Sequence, residues 1–142
     1  MQFKRDTDFA VRIMIGLAER LYGSDRREEV SAVEIFTACG IPLVTFRRIC
    51  EALADNKLIQ TRTNEKGEVQ ILPVGNIRER SLLVIAEAIE GTVDVFSVFE
   101  PKSNLMSGYG KCFSVLEDKV KDELGRLTIG VMLESKEHGE PC

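Results

Sequence analysis

The 142 residues are 44% hydrophobic and 30% charged, with both signs interspersed, which suits one globular domain plus a dimerisation element and excludes a largely disordered chain. No apolar run approaches the roughly 18 residues of a membrane span, and the opening Met1-Gln2-Phe3-Lys4-Arg5-Asp6 carries no signal-peptide pattern, so a cytoplasmic protein is expected. The net charge of −4 hides an asymmetry: residues 1–80 hold 13 Lys/Arg against 12 Asp/Glu, and residues 81–142 hold 6 against 11, which assigns any contact with a polyanion to the first half.

The apolar residues Phe9, Ala10, Ile13, Met14, Leu17, Ala18 and Leu21 recur in steps of three and four, which predicts an amphipathic helix from about Thr7 to Leu21. Ser31 followed by Glu34 reads as a capping box, with Val30 and Ile35 as its hydrophobic staple, so a second helix is expected over Ala32 to Cys39. Gly40 ends it in a left-handed conformation. Pro42, whose missing N–H is harmless at a helix start, opens a third helix reaching about Asn56. Its core face is Leu43, Phe46, Ile49, Cys50 and Leu53, and its outer face is Val44, Thr45, Arg47, Arg48 and Glu51.

Two alternating runs, Leu58–Thr63 and Glu68–Leu72, flank the turn Asn64-Glu65-Lys66-Gly67 and predict a β-hairpin closed by Pro73. Ser81 caps a helix over Leu82–Glu90 that Gly91 stops. Residues 92–110 have no period and contain Pro101, Gly108 and Gly110, so a loop is expected. A long helix from Lys111 to Arg126 carries a narrow apolar stripe of Cys112, Val115, Leu116, Val120 and Leu124. Thr128 caps a last short helix to Glu134, and residues 135–142 read as a flexible tail.

The order helix, Gly-turn, helix, hairpin over Ser31–Leu72 is that of a winged helix-turn-helix, whose second helix enters the major groove of DNA. The fold class expected is mainly α with a small β-hairpin. A DNA-binding domain spans 1–80, and a sensing loop with a long C-terminal dimerisation helix spans 81–134. Pro42 starts the reader helix. Arg47 and Arg48 on it can pair with guanine O6 and N7 or simply solvate the helix surface, Thr45 can bond a base or phosphate, and Val44 can touch a thymine methyl. Arg62 and Lys66 on the hairpin can meet phosphates. On the long helix, Val115, Leu116, Val120 and Leu124 are the candidates for pairing with a second copy, because symmetric operators call for symmetric dimers; the other reading of this stripe is a core helix of a monomer. The partners expected are double-stranded DNA and the chain itself, with no membrane.

Catalysis is not expected: there is no glycine-rich phosphate loop, nucleophile–base pair or hydrolase-type carboxylate cluster. The single histidine, His138, argues against a multi-histidine metal centre. Cys39, Cys50, Cys112 and Cys142 are scattered with no CxxC pair and read as reduced thiols. Cys39 and Cys50 fall on the helix-turn-helix as small core residues.

The chain resembles the winged-helix regulators typified by IscR, NsrR and CymR. The resemblance covers residues 1 to about 134. It rests on Thr7-Asp8-Phe9-Ala10-Val11-Arg12, Val30-Ser31-Ala32-Val33-Glu34-Ile35, Gly40-Ile41-Pro42-Leu43, Leu53, Leu58-Ile59, Ala88-Ile89-Glu90-Gly91 and Leu127-Thr128-Ile129-Gly130. It implies a DNA-binding dimer whose long helix crosses its partner. Several family members hold an iron–sulfur cluster through three cysteines before that helix. Here only Cys112 stands in such a place, and the family spacing puts Met106 and Glu100 at the others. Because such clusters need thiolate donors, no cluster is expected. Asp8 matches the non-cysteine ligand of the nitric-oxide-sensing branch, which makes Cys112 and Asp8 the candidate sensing residues. The family's glycine-rich wing is replaced by Thr63-Asn64-Glu65-Lys66-Gly67-Glu68, where Glu65 and Glu68 repel phosphate, so the relatives' DNA preference does not carry over.

Two other readings stand beside the regulator: a winged helix serving as a protein-interaction module, and an iron–sulfur or thiol redox sensor with an atypical ligand set. A small-molecule or protein effector is open as well. Ser103, Asn104, Ser107 and Tyr109 could line its pocket or simply solvate the loop.

Overall fold

The computed structural model describes residues 5–23, 27–92 and 109–139. Helix α1 (Arg5–Leu21) is its hub. Thr7, Ala10, Ile13, Met14, Leu17, Ala18 and Leu21 form one buried face that meets α2 (Ala32–Cys39), α3 (Leu43–Asp55), α4 (Leu82–Glu90) and α6 (Ile129–His138). Full burial of an Ile, Leu or Met side chain contributes about 1.5–3 kcal/mol, so this stripe alone commits α1 to the centre. The core continues through Ile35, Phe46, Ile49, Leu53, Ile59, Ile71, Ile77 and Ile85.

Gly40 ends α2 at φ 64°, and its N–H bonds the Phe36 carbonyl. A Cβ there would meet nothing within 4 Å, so the demand is conformational rather than spatial. Pro42 is the residue before the first helical position, and its carbonyl accepts from the Phe46 N–H at 2.9 Å. Leu43, expected on the core face, is 46% exposed: as the first helical residue it lies one turn beyond the packed layer that begins at Phe46.

The expected hairpin is present as β2 (Ile59–Thr63) and β3 (Val69–Pro73), but it belongs to a three-stranded antiparallel sheet ordered β1-β3-β2. The third strand, β1, is Val30–Ser31, paired with Ile71 and Gln70. This overturns the capping box. Ser31 makes no side-chain cap bond, and Glu34 instead reaches Arg20 (3.1 Å) and Arg27 (3.0 Å). Those guanidiniums, Arg27 foremost by its hydrogen bond, hold the Glu34 carboxyl below its ordinary value. At the hairpin tip the Asn64 side-chain oxygen accepts from the N–H groups of Lys66 (3.0 Å) and Glu68 (2.9 Å), which fixes the turn locally.

Ser81 and Thr128 cap α4 and α6 as expected, through Val84 N–H (3.1 Å) and Val131 N–H (3.2 Å). The two caps also face each other across a single antiparallel bridge. Gly130 is needed for space, because a Cβ there would lie 3.1 Å from the Arg78 carbonyl. Helix α6 does not stop at Glu134 but continues to His138. A Lys136–Glu19 pair at 2.8 Å ties it to α1, so the flexible tail assigned to 135–142 is helical over its first half. Long helix α5 (Gly110–Arg126) has no buried residue in 17. Most of the expected sensing loop, including Glu100, Ser103, Asn104, Met106 and Ser107, lies outside the described residues, as does Cys142.

Candidate nucleic-acid interface

Packing of Phe46, Ile49, Cys50 and Leu53 against the core turns the other side of α3 outward. Val44 is 79% exposed, Arg47 and Arg48 are exposed, and Thr45 is half-buried. The wing stands beside this helix. Helices α2 and α3 and the β2–β3 hairpin together enclose an open groove of about 710 Å³ lined by Val33, Phe36, Leu43, Phe46 and Val69, with Arg47, Glu51 and Glu68 also on its surface. Helix α3 and the hairpin therefore flank one depression.

The four basic residues named from the sequence fall into two classes. Arg47 and the wing-tip Lys66 are exposed and form no ion pair among the described residues. Arg48 and Arg62 are held. The Arg48 guanidinium pairs with both oxygens of Asp6, with Nη1 donating to Oδ2 and Nη2 to Oδ1 at 3.2 Å for the second contact. Arg62 Nε donates to Glu29 Oε2 at 2.5 Å. Each carboxylate, chiefly through its hydrogen bond, raises the pKa of the guanidinium it faces. Asp6 and Glu29 had no signal in the sequence beyond their charge, because their partners lie 42 and 33 residues away.

Asp6 is one of three consecutive residues in the first turn of α1 with distinct partners. Thr7, 1% exposed, donates its hydroxyl to Glu90 Oε2 at 2.6 Å. Asp8 pairs with Arg12 at 2.9 Å.

Cys112 is an exposed thiol in the first turn of α5, and Asp8 is engaged by Arg12. Among the described residues no three His, Cys, Asp or Glu side chains are grouped as metal ligands. Met106 and Glu100, which the resemblance puts at the other two positions, offer no thiolate, the usual donor of such a cluster. Cys50 is buried, which, with a lesser contribution from nearby Cys39, pushes its thiol up to about 12. Burial likewise raises Cys39. A raised pKa depletes the reactive thiolate.

On α5, Val115 and Leu116 are 55% and 47% exposed. Val120 and Leu124 are half-buried and line a shallow groove with Leu127 and Val131. No described helix is long and apolar enough to cross a membrane.

No protein-family model and no curated protein matches the chain. Solved structures do. The IscR of T. potens is 16% identical, the match covering 100% of this chain and 93% of that one, with a TM-score of 0.71. The oxidised form of Staphylococcus aureus CymR is 17% identical over 93% of this chain and 95% of that one, with a TM-score of 0.68. CymR (YrzC), the global cysteine regulator of B. subtilis, gives 17%, 93%, 95% and 0.68. The chain has the winged-helix fold of the CymR and IscR regulators.

Proposed function

We propose that this chain is a homodimeric, sequence-specific DNA-binding transcription regulator, non-enzymatic, acting in the cytoplasm without an iron–sulfur cluster. The observation that carries the reading is the pairing of an outward-facing α3, bearing Val44, Thr45 and an unpaired Arg47, with a wing whose tip presents Lys66 beside the same groove. Arg47 supplies a guanine-reading fork, and Lys66 supplies a phosphate contact that fixes register without reading sequence. The regulator neighbours support the same reading.

Dimerisation through α5 is part of the proposal. A 17-residue helix with no buried residue and two large aliphatic side chains half open to water has an apolar face left to cover, and a second copy covers it symmetrically. The lack of thiolates beside Cys112 supports a signal other than cluster chemistry.

The test is anisotropy titration of the full chain against its own promoter region at several salt concentrations. Binding should weaken steeply with salt and should discriminate the promoter from shuffled DNA of equal length. Salt-sensitive binding without discrimination would reject sequence-specific regulation. The apolar groove with Glu51 and Glu68 favours a second reading, a protein-interaction module. In that case DNA of either sequence stays unbound at low salt.

A further inference from the structure

We propose that Asp6 is a built-in competitor for DNA: in the free protein it occupies the Arg48 fork, and the Thr7–Glu90 hydrogen bond ties this latch to the end of α4. The proposal rests on the DNA-binding reading above.

The Arg48–Asp6 contact is fork to fork, with both terminal nitrogens on both carboxylate oxygens. Those nitrogens are the ones an arginine aims end-on at guanine O6 and N7 or at two phosphate oxygens. One fork cannot face Asp6 and DNA together, so DNA engages Arg48 only by displacing Asp6. The exchange is feasible because the arginine side chain is 59% exposed while the carboxylate is 27% exposed, and an exposed pair is held weakly. Asp6 itself stays put, because it sits in the first turn of α1, where the helix dipole favours a carboxylate.

The neighbouring residue links the latch to the rest of the molecule. Glu90 is the last residue of α4, which has no basic residue in its last turn, and a carboxylate at a helix C-terminus is disfavoured by the dipole. The buried Thr7 hydroxyl compensates it at 2.6 Å. Displacement of the α4 end therefore acts on the turn that holds Arg48. The Asn56 side chain at the end of α3 donates to the Ala88 carbonyl at 3.2 Å, a second tie between the same two helices.

The experiment is a cycle of D6N, R48A and D6N/R48A, with T7V and D6N/T7V, in which valine removes the hydroxyl that bonds Glu90, titrated against promoter DNA across salt. Freeing Arg48 for one more phosphate should steepen the salt slope by about 0.9 and raise affinity about eightfold at 0.1 M salt. R48A should erase that gain, so D6N/R48A should match R48A. T7V should move affinity in the same direction as D6N and add nothing to it. A D6N gain that survives in the R48A background would be a bulk charge effect and would overturn the latch, as would a loss of affinity in D6N, which would make Asp6 a buttress. Heparin elution separates this proposal from the function it rests on. D6N should elute at higher salt than wild type and D6N/R48A should not, even if no variant retards DNA. Co-elution of D6N with wild type would reject the latch.

Discussion

Phe36 and Phe46 meet edge to face, with ring centroids 5.4 Å apart and planes at 61°, one ring from each helix of the helix-turn-helix. Because Phe46 is buried and directly follows exposed Val44 and half-buried Thr45, this contact bears on how α3 stands on the core. Phe46→Ala should cost about 3–5 kcal/mol in urea denaturation. Phe46→Leu, which restores most of the volume but not the edge-to-face contact, should cost about 1 kcal/mol while weakening DNA binding through a tilted α3. A Phe46→Leu protein with unchanged DNA affinity would reject that positional role.

The three candidate caps should separate cleanly. Ser81→Ala and Thr128→Ala each remove a hydroxyl that accepts from a helix N–H and should cost about 1 kcal/mol. Ser31→Ala removes no such bond and should fall within about 0.5 kcal/mol of wild type. Thermal or urea unfolding of the three variants side by side is the check.

Charge on α5 should break the pair. Leu116→Glu or Val115→Glu places a carboxylate in the face proposed to meet a second copy, where an unpaired buried charge is strongly unfavourable. Light scattering after size exclusion should read a dimer for wild type and a monomer for the variants. Wild-type Tm should rise with protein concentration by mass action. A monomeric wild type at micromolar concentration would refute the α5 interface.

Arg47→Ala should lower promoter affinity by about 1–3 kcal/mol and relax discrimination at one base position, as expected for loss of a bidentate base contact. The dimer should persist. A uniform loss on promoter and shuffled DNA would reassign Arg47 to phosphate.

Cys50 should leave an alkaline signature. Its folded thiol titrates at about 12 against an ordinary 9.0, so the folded chain holds a proton that the unfolded chain releases. The associated stability is fully present below pH 9 and is lost as pH rises from about 9 toward 12, by at most about 1.4 kcal/mol per pH unit. Cys50→Ala should flatten that part of the profile relative to wild type. Near neutral pH, peptide mapping after alkylation should find exposed Cys112 modified first and Cys50 only on unfolding.

The sequence made the helical layer readable because burial repeats with the helical period: Ala10, Ile13, Met14 and Leu17 in α1, and Phe46, Ile49, Cys50 and Leu53 in α3, are the residues that pack. Gly40 and the Asn64–Gly67 turn marked the boundaries through backbone demands that few other residues meet. Strand β1 was illegible, since two residues carry no period. Ser31 and Glu34 matched a capping signature, yet the Ser31 backbone is paired opposite Gln70 in the sheet and the Glu34 carboxylate is taken by Arg20 and Arg27. The charge partners of Arg48 and Arg62 were equally hidden, because an ion pair between remote segments follows from the packed helices and leaves no local spacing. Exposure on α3 could be read from the sequence, whereas occupancy of its arginines could not.

Strand β3 is hydrogen-bonded on both flanks, to β2 and to the two residues that lead straight into α2. The hairpin is thus stitched to the two residues that lead into α2, the helix ahead of α3. In the proposed two-fold pair, each half would then act as one jaw of a caliper. On that proposal an inducing signal would act, beside the Asp6 latch, through the spacing or angle between the jaws, mismatching them to the 10-to-10.5-base-pair pitch of the operator.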